Sequence, residues 1–260
     1  ALTDNRADRA IAIRFRAFDD GVGFRYEFSA RADGKPWRIA DELTEVVIAA
    51  AGTAWWIQAG DFNRYEQIYQ KTPTDAVSMA HTPMTIRLED GTHLSFHEAA
   101  LVDYSGMWLQ RLTGQRFRAH LSPSSRGPKV VRTGAFTTPW RSIRIAKDAA
   151  GLVENDLELN LNEPNKLGDV SWFKPAKYIG IWWGMISGKW SWAQGPNHGA
   201  TTERTKQYID FAAKNGFRGV LVEGWDYGWD GNWFGNGRDF SFTKPYPDFD
   251  LPALAAYAKK

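Results

Sequence analysis

Short stretches in which apolar and charged residues alternate fill roughly the first two thirds of the chain, and they constrain its fold most. "IAIRFRAF" (residues 11–18) has the alternation of a half-buried strand. "DDG" follows as a turn signal, and "VGFRYEF" then resumes the alternation. "MTIRLEDGTHLSFHEA" predicts two strands joined by an Asp-Gly hairpin turn.

Four further segments continue this series of strands. "QRFRAHLS", "KVVRTGAF" and "WRSIRIAKD" each predict a strand, and "TEVVIAAAGTAWWIQAG" predicts a longer pair of buried strands. Short strands separated by turn signals at this spacing are typical of an antiparallel sandwich. The sequence therefore predicts a β-sandwich for the first part of the chain.

The pattern changes at "NLNEPNKLGDVSWFKPAK" (residues 160–177), which is irregular and contains two prolines. Such a segment is typical of a linker between domains. We therefore expect a first domain over residues 1–170 and a second over residues 171–260.

The second domain has the order strand, helix, strand, helix. "KYIGIWWGM" and "RGVLVEGW" are short apolar strands. Thr201 or Thr202 can cap the first helix, and Gly216 ends it. Asp250 caps the second helix, with Pro252 in its first turn. The apolar stripe of the first helix consists of Tyr208, Ile209, Phe211 and Ala212.

Strands that are apolar on both faces and alternate with helices predict a parallel sheet covered by helices. Two such units cannot close a barrel or form a balanced open sheet. We therefore expect the chain to be a segment of a longer protein.

Composition excludes several classes of function. The net charge of +2 gives no electrostatic footprint for nucleic acid, and no apolar run reaches the roughly 18 residues that a membrane span needs. The chain has no cysteine, which excludes disulfides and thiol catalysis. No P-loop, G-x-G-x-x-G motif or G-x-S-x-G motif is present in the sequence.

The strongest candidate site follows the second apolar strand, which ends at Glu223 in "RGVLVEGWDYGWDGNWFGNG". In parallel α/β folds, ligands bind at the C-terminal ends of the strands. A carboxylate there can bind sugar hydroxyls or act as acid, base or nucleophile, and Trp225 beside it offers a stacking surface. The first strand ends in "IGIWWGM", which places Trp182 and Trp183 near the same edge. The alternative is that Glu223 forms an ion pair and the indoles only pack.

Glu66 is a second candidate, in the polar and aromatic loop "GDFNRYEQIY". Its carboxylate is a suitable ligand for a hard cation such as Ca²⁺. A single Glu in a loop is more often only solvated, so the sequence leaves both interpretations open.

Long motifs in this chain resemble glycoside hydrolase family 97. "KYIGIWWGMISGKWSWAQGPNHGATTERTKQYIDFAAKNGFRGVLVEGW" and "WFGNGRDFSFTKPYPDFDLPALAAYAKK" are similar to the start of that family's catalytic barrel. "AIRFRAFDDGVGFRYEF", "HEAALVDYSGM", "TPWRSIRI" and "LNLNEP" resemble its N-terminal β-super-sandwich. The resemblance implies a β-super-sandwich followed by the first two βα units of a (β/α)8 TIM barrel.

The same resemblance implies an exo-acting α-glycosidase that hydrolyses terminal α-glucosides or α-galactosides with the help of Ca²⁺. By position, Glu223 and Trp182 match residues that bind the sugar in the −1 subsite, with Trp225 beside them. Glu66 matches a calcium ligand that the sandwich contributes. The general acid and the base or nucleophile lie on later strands in this family, so we expect no catalytic residue in this chain and no activity from it alone.

The resemblance also implies a location and a ligand for the protein, and one alternative hypothesis competes with it. Family membership implies a periplasmic or secreted bacterial protein that binds an oligosaccharide or α-glycoside. The competing hypothesis is a carbohydrate-binding sandwich without catalytic activity. The position of the tryptophans separates the two hypotheses, because the densest cluster lies in the part with alternating strands and helices and not in the sandwich.

Overall fold

The computed structural model describes residues 2–4, 9–62, 65–230, 235, 237 and 239–260, with only the backbone of residues 2–4, 9 and 10. The described chain divides into two compact units, Ala1–Lys166 and Leu167–Lys260. Trp233, which the sequence places in the loop after Glu223, lies outside the described residues.

The first unit is built mainly of antiparallel strands. Its strands are β1 (Leu2–Asp4), β2 (Arg9–Phe18), β3 (Gly21–Phe28), β4 (Trp37–Ile39), β5 (Glu45–Val47), β6 (Gly52–Trp56), β7 (Gln70–Pro73), β8 (Met79–His81), β9 (Met84–Leu88), β10 (His93–Ala99), β11 (Met107–Arg111), β12 (Arg116–Leu121), β13 (Val130–Arg132), β14 (Phe136–Thr137) and β15 (Trp140–Ala146). Its helices are a 3₁₀ turn (Thr74–Ala76), α1 (Ala149–Val153) and α2 (Leu157–Leu161).

These strands form a sandwich. Among the described residues, the larger sheet has the order β1-β2-β3-β15-β10-β9-β6-β7, with β14 also paired to β3, and the smaller sheet has the order β5-β12-β11-β8. Both sheets contribute to one buried apolar cluster, since Trp56, Ile86 and Phe96 come from the larger sheet and Leu109 and Phe117 from the smaller. Burial of these inward faces is the main stabilising contribution to such a fold.

Local alternation predicts most of these strands correctly. The hairpins β2–β3 and β9–β10 are confirmed, the latter with Gly91 at a φ of 90° in its turn. The two strands predicted within residues 44–60 are present as β5 and β6, but they do not pair with each other. They belong to different sheets: β5 pairs with β12, whereas β6 pairs with β9 and β7.

A buried arginine links three segments of the sandwich. The guanidinium of Arg141 donates hydrogen bonds of 2.9 and 2.6 Å to Glu42 and one of 2.5 Å to Glu98. Glu98 also accepts a hydrogen bond from the backbone N–H of Met107. All three charged side chains are more than 90% buried. Loss of the arginine would therefore leave two buried carboxylates without their cation.

We predict that Arg141→Met lowers the free energy of unfolding by about 3–5 kcal/mol, because the carboxylates of Glu42 and Glu98 lose their cation. Urea unfolding followed by circular dichroism measures this loss. Arg14→Met is the matched control, since Arg14 pairs with Glu27 on the exposed surface. Equal losses from the two variants would contradict the prediction.

The described residues of the second unit form two parallel strands and three helices. Its elements are β16 (Tyr178–Gly180), α3 (Trp182–Ile186), α4 (Thr202–Lys214), β17 (Gly219–Leu221) and α5 (Leu251–Tyr257). The two strands pair in parallel, with Ile179 opposite Val220. The predicted alternation of strands and helices, and the parallel pairing, are confirmed.

The helix caps also agree with the sequence. Thr201 caps α4 by accepting a hydrogen bond from the N–H of Arg204, and Gly216 lies beyond its end at a φ of +73°. Asp250 caps α5 through the N–H of Ala253. The first strand, however, is shorter than "KYIGIWWGM". It ends at Gly180 because the backbone turns helical at Ile181 and continues into α3.

Candidate functional site

Glu223 lies two residues beyond the end of β17, at the edge of the parallel pair where ligands bind in α/β folds. The backbone turns sharply at the next residue, Gly224, which has a φ of +79°. A Cβ atom at that glycine would lie 3.0 Å from the carbonyl oxygen of Trp192, so the turn requires glycine.

A cavity of about 410 Å³ opens beside this turn. Its lining combines two carboxylates with several aromatic rings, which is the mixture expected for a polar ligand with apolar faces. The described lining residues are Val222, Glu223, Gly224, Trp225, Asp226, Trp229, Gly237, Phe240 and Phe242.

The Glu223 side chain is half-buried at this cavity. Within the described residues, no lysine, arginine or histidine forms an ion pair with it. A carboxylate in this position can accept hydrogen bonds from two hydroxyl groups of a ligand.

The tryptophans near Glu223 have different neighbours. Trp225 lines the cavity but also packs on the apolar cluster of this unit and lies 5.7 Å from Phe249, centroid to centroid. Trp229 stacks on Trp192 at 4.7 Å and donates its indole N–H to Asp226. Trp229 therefore orders the loop that follows Glu223.

Trp182 is the first residue of α3, and it is 39% exposed. Its ring meets that of Trp183 edge to face at 5.1 Å. It is not among the described residues that line the cavity beside Glu223. The structure thus brings Glu223 and Trp225 to one cavity, and it places Trp182 at the start of the helix that follows the neighbouring strand.

A tyrosine holds the loop after Glu223. The backbone N–H of Tyr246 donates to the carbonyl of Trp225, and its hydroxyl donates to Asp230 at 2.8 Å and accepts from the N–H of Trp229. Burial and the hydrogen bond to Asp230 raise the pKa of Tyr246 to about 12. The hydroxyl therefore stays neutral over the whole physiological range of pH.

A buried histidine that the sequence did not single out lies behind the same turn. The ring of His198 contacts Asp248 through Nδ1, at 2.8 Å, and the carbonyl of Gly224 through Nε2, at 2.9 Å. These partners are 50 and 26 residues away along the chain. A search for histidine ligand spacing could not find such a residue, because its partners are defined only by the tertiary fold.

Glu66 belongs to the first unit and is exposed in the loop between β6 and β7. The described residues contain no group of three or more His, Asp or Glu side chains that could hold a metal ion. Ca²⁺ takes 6–8 oxygen ligands, and the Glu66 carboxylate supplies at most two of them. The described residues therefore do not form a calcium site by themselves, although Glu66 has the right chemistry for one ligand.

In the part of the chain that the structure describes, no helix is long and apolar enough to cross a membrane.

A carboxylate among aromatic rings at a strand end is suited to a ligand with hydroxyl groups and apolar faces, but the fold alone does not define the function. Comparison with known families makes this specific. Residues 2–164 match the family model for the glycosyl-hydrolase 97 N-terminal domain, and residues 182–260 match the model for glycoside hydrolase 97. The chain belongs to glycoside hydrolase family 97.

Solved structures and curated relatives agree with this membership. The chain is 56% identical to a family 97 enzyme from Pseudoalteromonas sp. strain K8 in complex with acarbose, with a TM-score of 0.88 over 96% of this chain and 38% of that one. A variant of a family 97 enzyme from the same strain, also 56% identical to this chain, has been solved in complex with panose. A retaining alpha-galactosidase from Bacteroides thetaiotaomicron is 26% identical over 82% of this chain and 36% of its own length. The chain thus spans less than two fifths of the length of these relatives.

We predict that Tyr246→Phe costs about 1 kcal/mol of stability at pH 8, because Asp230 loses its hydroxyl partner. The unfolded phenol titrates near pH 10 and the folded one at about pH 12. The contribution of the neutral hydroxyl is therefore complete below pH 10 and is lost as the pH rises through about 12.

Thermal unfolding of both proteins between pH 8 and 11.5 measures this difference, which should shrink above pH 10. Tyr227→Phe is the matched control. The Tyr227 ring packs against Tyr246 at 4.7 Å, but its hydroxyl has no hydrogen bond within the described residues. A difference that stays constant with pH would contradict the assignment.

Proposed function

We propose that this chain is part of an exo-acting α-glycosidase and that its second unit supplies a sugar-binding wall of the active site. The observation that carries the proposal is Glu223, half-buried at an aromatic cavity beside the carboxyl end of a parallel strand. Support comes from the two family 97 structures, both 56% identical to this chain, that were solved with acarbose and panose.

The second unit would be the beginning of a (β/α)8 barrel, with β16 and β17 as its first two strands. This is supported by their parallel register and by helix α4, which connects them and packs against both. In barrels of this type, active-site residues lie at the C-terminal ends of the strands. The general acid and the base or nucleophile would come from later strands, outside this chain.

Each candidate residue would have a distinct role in the −1 subsite. Glu223 would accept hydrogen bonds from hydroxyl groups of the terminal sugar, each charged hydrogen bond contributing about 1.5–3 kcal/mol. Trp182 and Trp225 would present flat apolar surfaces to the C–H faces of the ring. None of these three residues would transfer the proton to the glycosidic oxygen.

Terminal α-glucosides are the favoured substrates. Panose is an α-linked glucose oligosaccharide, and the relative solved with it is 56% identical to this chain. The curated alpha-galactosidase from Bacteroides thetaiotaomicron is only 26% identical. A periplasmic or secreted location would fit hydrolysis of such external oligosaccharides.

Calcium would bind through Glu66 together with oxygen ligands from the later part of the protein. The Glu66 carboxylate is exposed in the loop between β6 and β7 and is therefore accessible to a cation. When bound, Ca²⁺ would supply positive charge to the site. Among the described residues, Glu66 would contribute one carboxylate that helps to hold the ion.

We predict that Glu223→Gln in the full-length protein lowers kcat/KM for nitrophenyl α-glucoside by about 10²-fold or more, because the charged acceptor for the sugar hydroxyls is lost. Glu203→Gln, which changes an exposed carboxylate on α4 that pairs with Lys206, is the matched control. Near wild-type turnover by Glu223→Gln would remove this residue from the site. Tight acarbose binding without any hydrolysis by the full-length wild type would favour the carbohydrate-binding hypothesis.

We predict that chelation with EDTA lowers the activity of the full-length protein and that added Ca²⁺ restores it. Titration calorimetry with Ca²⁺ alone should give weaker binding for Glu66→Gln than for wild type, because one oxygen ligand loses its charge. Glu89→Gln, in the exposed β9–β10 turn, is the control. Calcium affinity that is equal in the two variants would exclude Glu66 as a ligand.

A further inference from the structure

His198 is a fully buried residue with no exposed side-chain surface, and it connects three loops of the second unit. It lies between α3 and α4, it contacts Gly224 after β17, and it contacts Asp248 just before α5. Gly224 is the residue that directly follows Glu223. The ring therefore touches the backbone of the proposed sugar-binding turn from behind.

The hydrogen bonds fix where the protons of this pair must be. The carbonyl oxygen of Gly224 can only accept, so Nε2 of His198 carries a hydrogen. Nδ1 faces a carboxylate oxygen of Asp248 at 2.8 Å, and two bare acceptors would repel each other at that distance. One further proton therefore lies between His198 and Asp248, as imidazolium with carboxylate or as neutral imidazole with carboxylic acid.

The other groups around the ring do not compete for these contacts. Arg204 donates to the backbone carbonyl of His198, and its guanidinium lies 4.0 Å above the ring of Trp190. The ring of Tyr246 meets the imidazole edge to face at 5.3 Å. The backbone carbonyl of Asp248 accepts from the N–H and the hydroxyl of Thr202. Asp248 is thus anchored to α4 through Thr202 while its side chain holds His198.

The turn at Gly224 has close neighbours on both sides. On one side, a Cβ atom would lie 3.0 Å from the carbonyl oxygen of Trp192, so this carbonyl packs closely against the turn. On the other side, the imidazole of His198 holds the Gly224 carbonyl. The ladder with β16 ends at Leu221, so strand pairing does not hold Glu223. The position of the Glu223 backbone therefore depends on the turn that follows it.

We propose that His198 and Asp248 are positioning residues that orient Glu223 toward its ligand by holding the carbonyl of Gly224. The proposal rests on the sugar-binding role of Glu223 given above. The buried His198 and the partly exposed Asp248 would thus affect sugar affinity, although neither is among the described residues that line the cavity beside Glu223.

The test compares variants of the full-length protein, with acarbose affinity and the kinetics of nitrophenyl α-glucoside hydrolysis as readouts. His198→Phe keeps a ring but removes both hydrogen bonds, and Asp248→Leu breaks the pair from the other side. Each should weaken acarbose binding and lower kcat/KM by about 10- to 100-fold, since a displacement of about 1 Å in a site has such effects. Circular dichroism should give the wild-type spectrum for both.

Asp248→Asn is the conservative rescue. Its amide N–H can donate to Nδ1 of a neutral His198 whose Nε2–H still donates to Gly224. Acarbose affinity should then stay within about threefold of wild type, well above that of Asp248→Leu. Equal losses from Asn and Leu at position 248 would overturn the proposal, and this comparison remains decisive if His198→Phe does not fold.

A double-mutant cycle with Glu223→Gln separates this inference from the proposed function. If His198 acts through Glu223, the variant with both changes should be no weaker in binding than Glu223→Gln alone. Additive losses would overturn the positioning role and leave Glu223 as a sugar-binding residue. No effect of Glu223→Gln by itself would overturn the proposed function first.

Discussion

The parallel register of β16 and β17 determines where the candidate ligand-binding residues of the second unit lie. Gly180 is opposite Leu221, so Trp182 and Glu223 each follow the paired segment by two residues. The carboxyl ends of both strands face the same edge, and polar or aromatic residues that follow them collect there. Without this pairing, a carboxylate 41 positions from a tryptophan in the sequence would have no reason to share a surface with it.

The structure of the turn after β17 explains why several tryptophans follow Glu223. Trp225 and Trp229 mainly pack, one on the apolar cluster of the unit and the other on Trp192. Their packing stabilises the described part of the loop after β17, and the indole N–H of Trp229 donates to the buried Asp226. A rigid aromatic loop can hold one half-buried carboxylate in a defined position, which is what recognition of a sugar hydroxyl requires. Packing and ligand binding are therefore compatible uses of the same cluster.

Local pattern predicts the fold well wherever the deciding interactions are local. Alternation and the Asp-Gly turn identify the β9–β10 hairpin. Thr201 and Asp250 identify the starts of α4 and α5, because each capping hydrogen bond joins residues only three positions apart. Sheet membership is not local. Residues 44–60 look continuous, yet β5 and β6 pair with strands that are remote in sequence.

The residues of the candidate site also differ in whether the local sequence could identify them. Glu223 and the tryptophans can be recognised from the sequence because they follow an apolar strand directly. The sequence predicts Trp182 at the end of an apolar strand, but the residue begins a helix, since the backbone turns at Ile181. The sequence could not identify His198 as a functional candidate, because its contacts with Gly224 and Asp248 form only in the folded protein.

The Arg141 cluster and the His198–Asp248 pair differ in a way that explains their different uses. In the first unit, Arg141 faces two carboxylates, and the cluster carries a net negative charge in a site where burial raises the pKa of the neighbouring Tyr104. Such a cluster resists any neutral replacement of the cation, because desolvated carboxylates would remain. His198 and Asp248 together with their shared proton are neutral. An uncharged amide can therefore replace the carboxylate, and the pair acts through the direction of its hydrogen bonds and not through its charge.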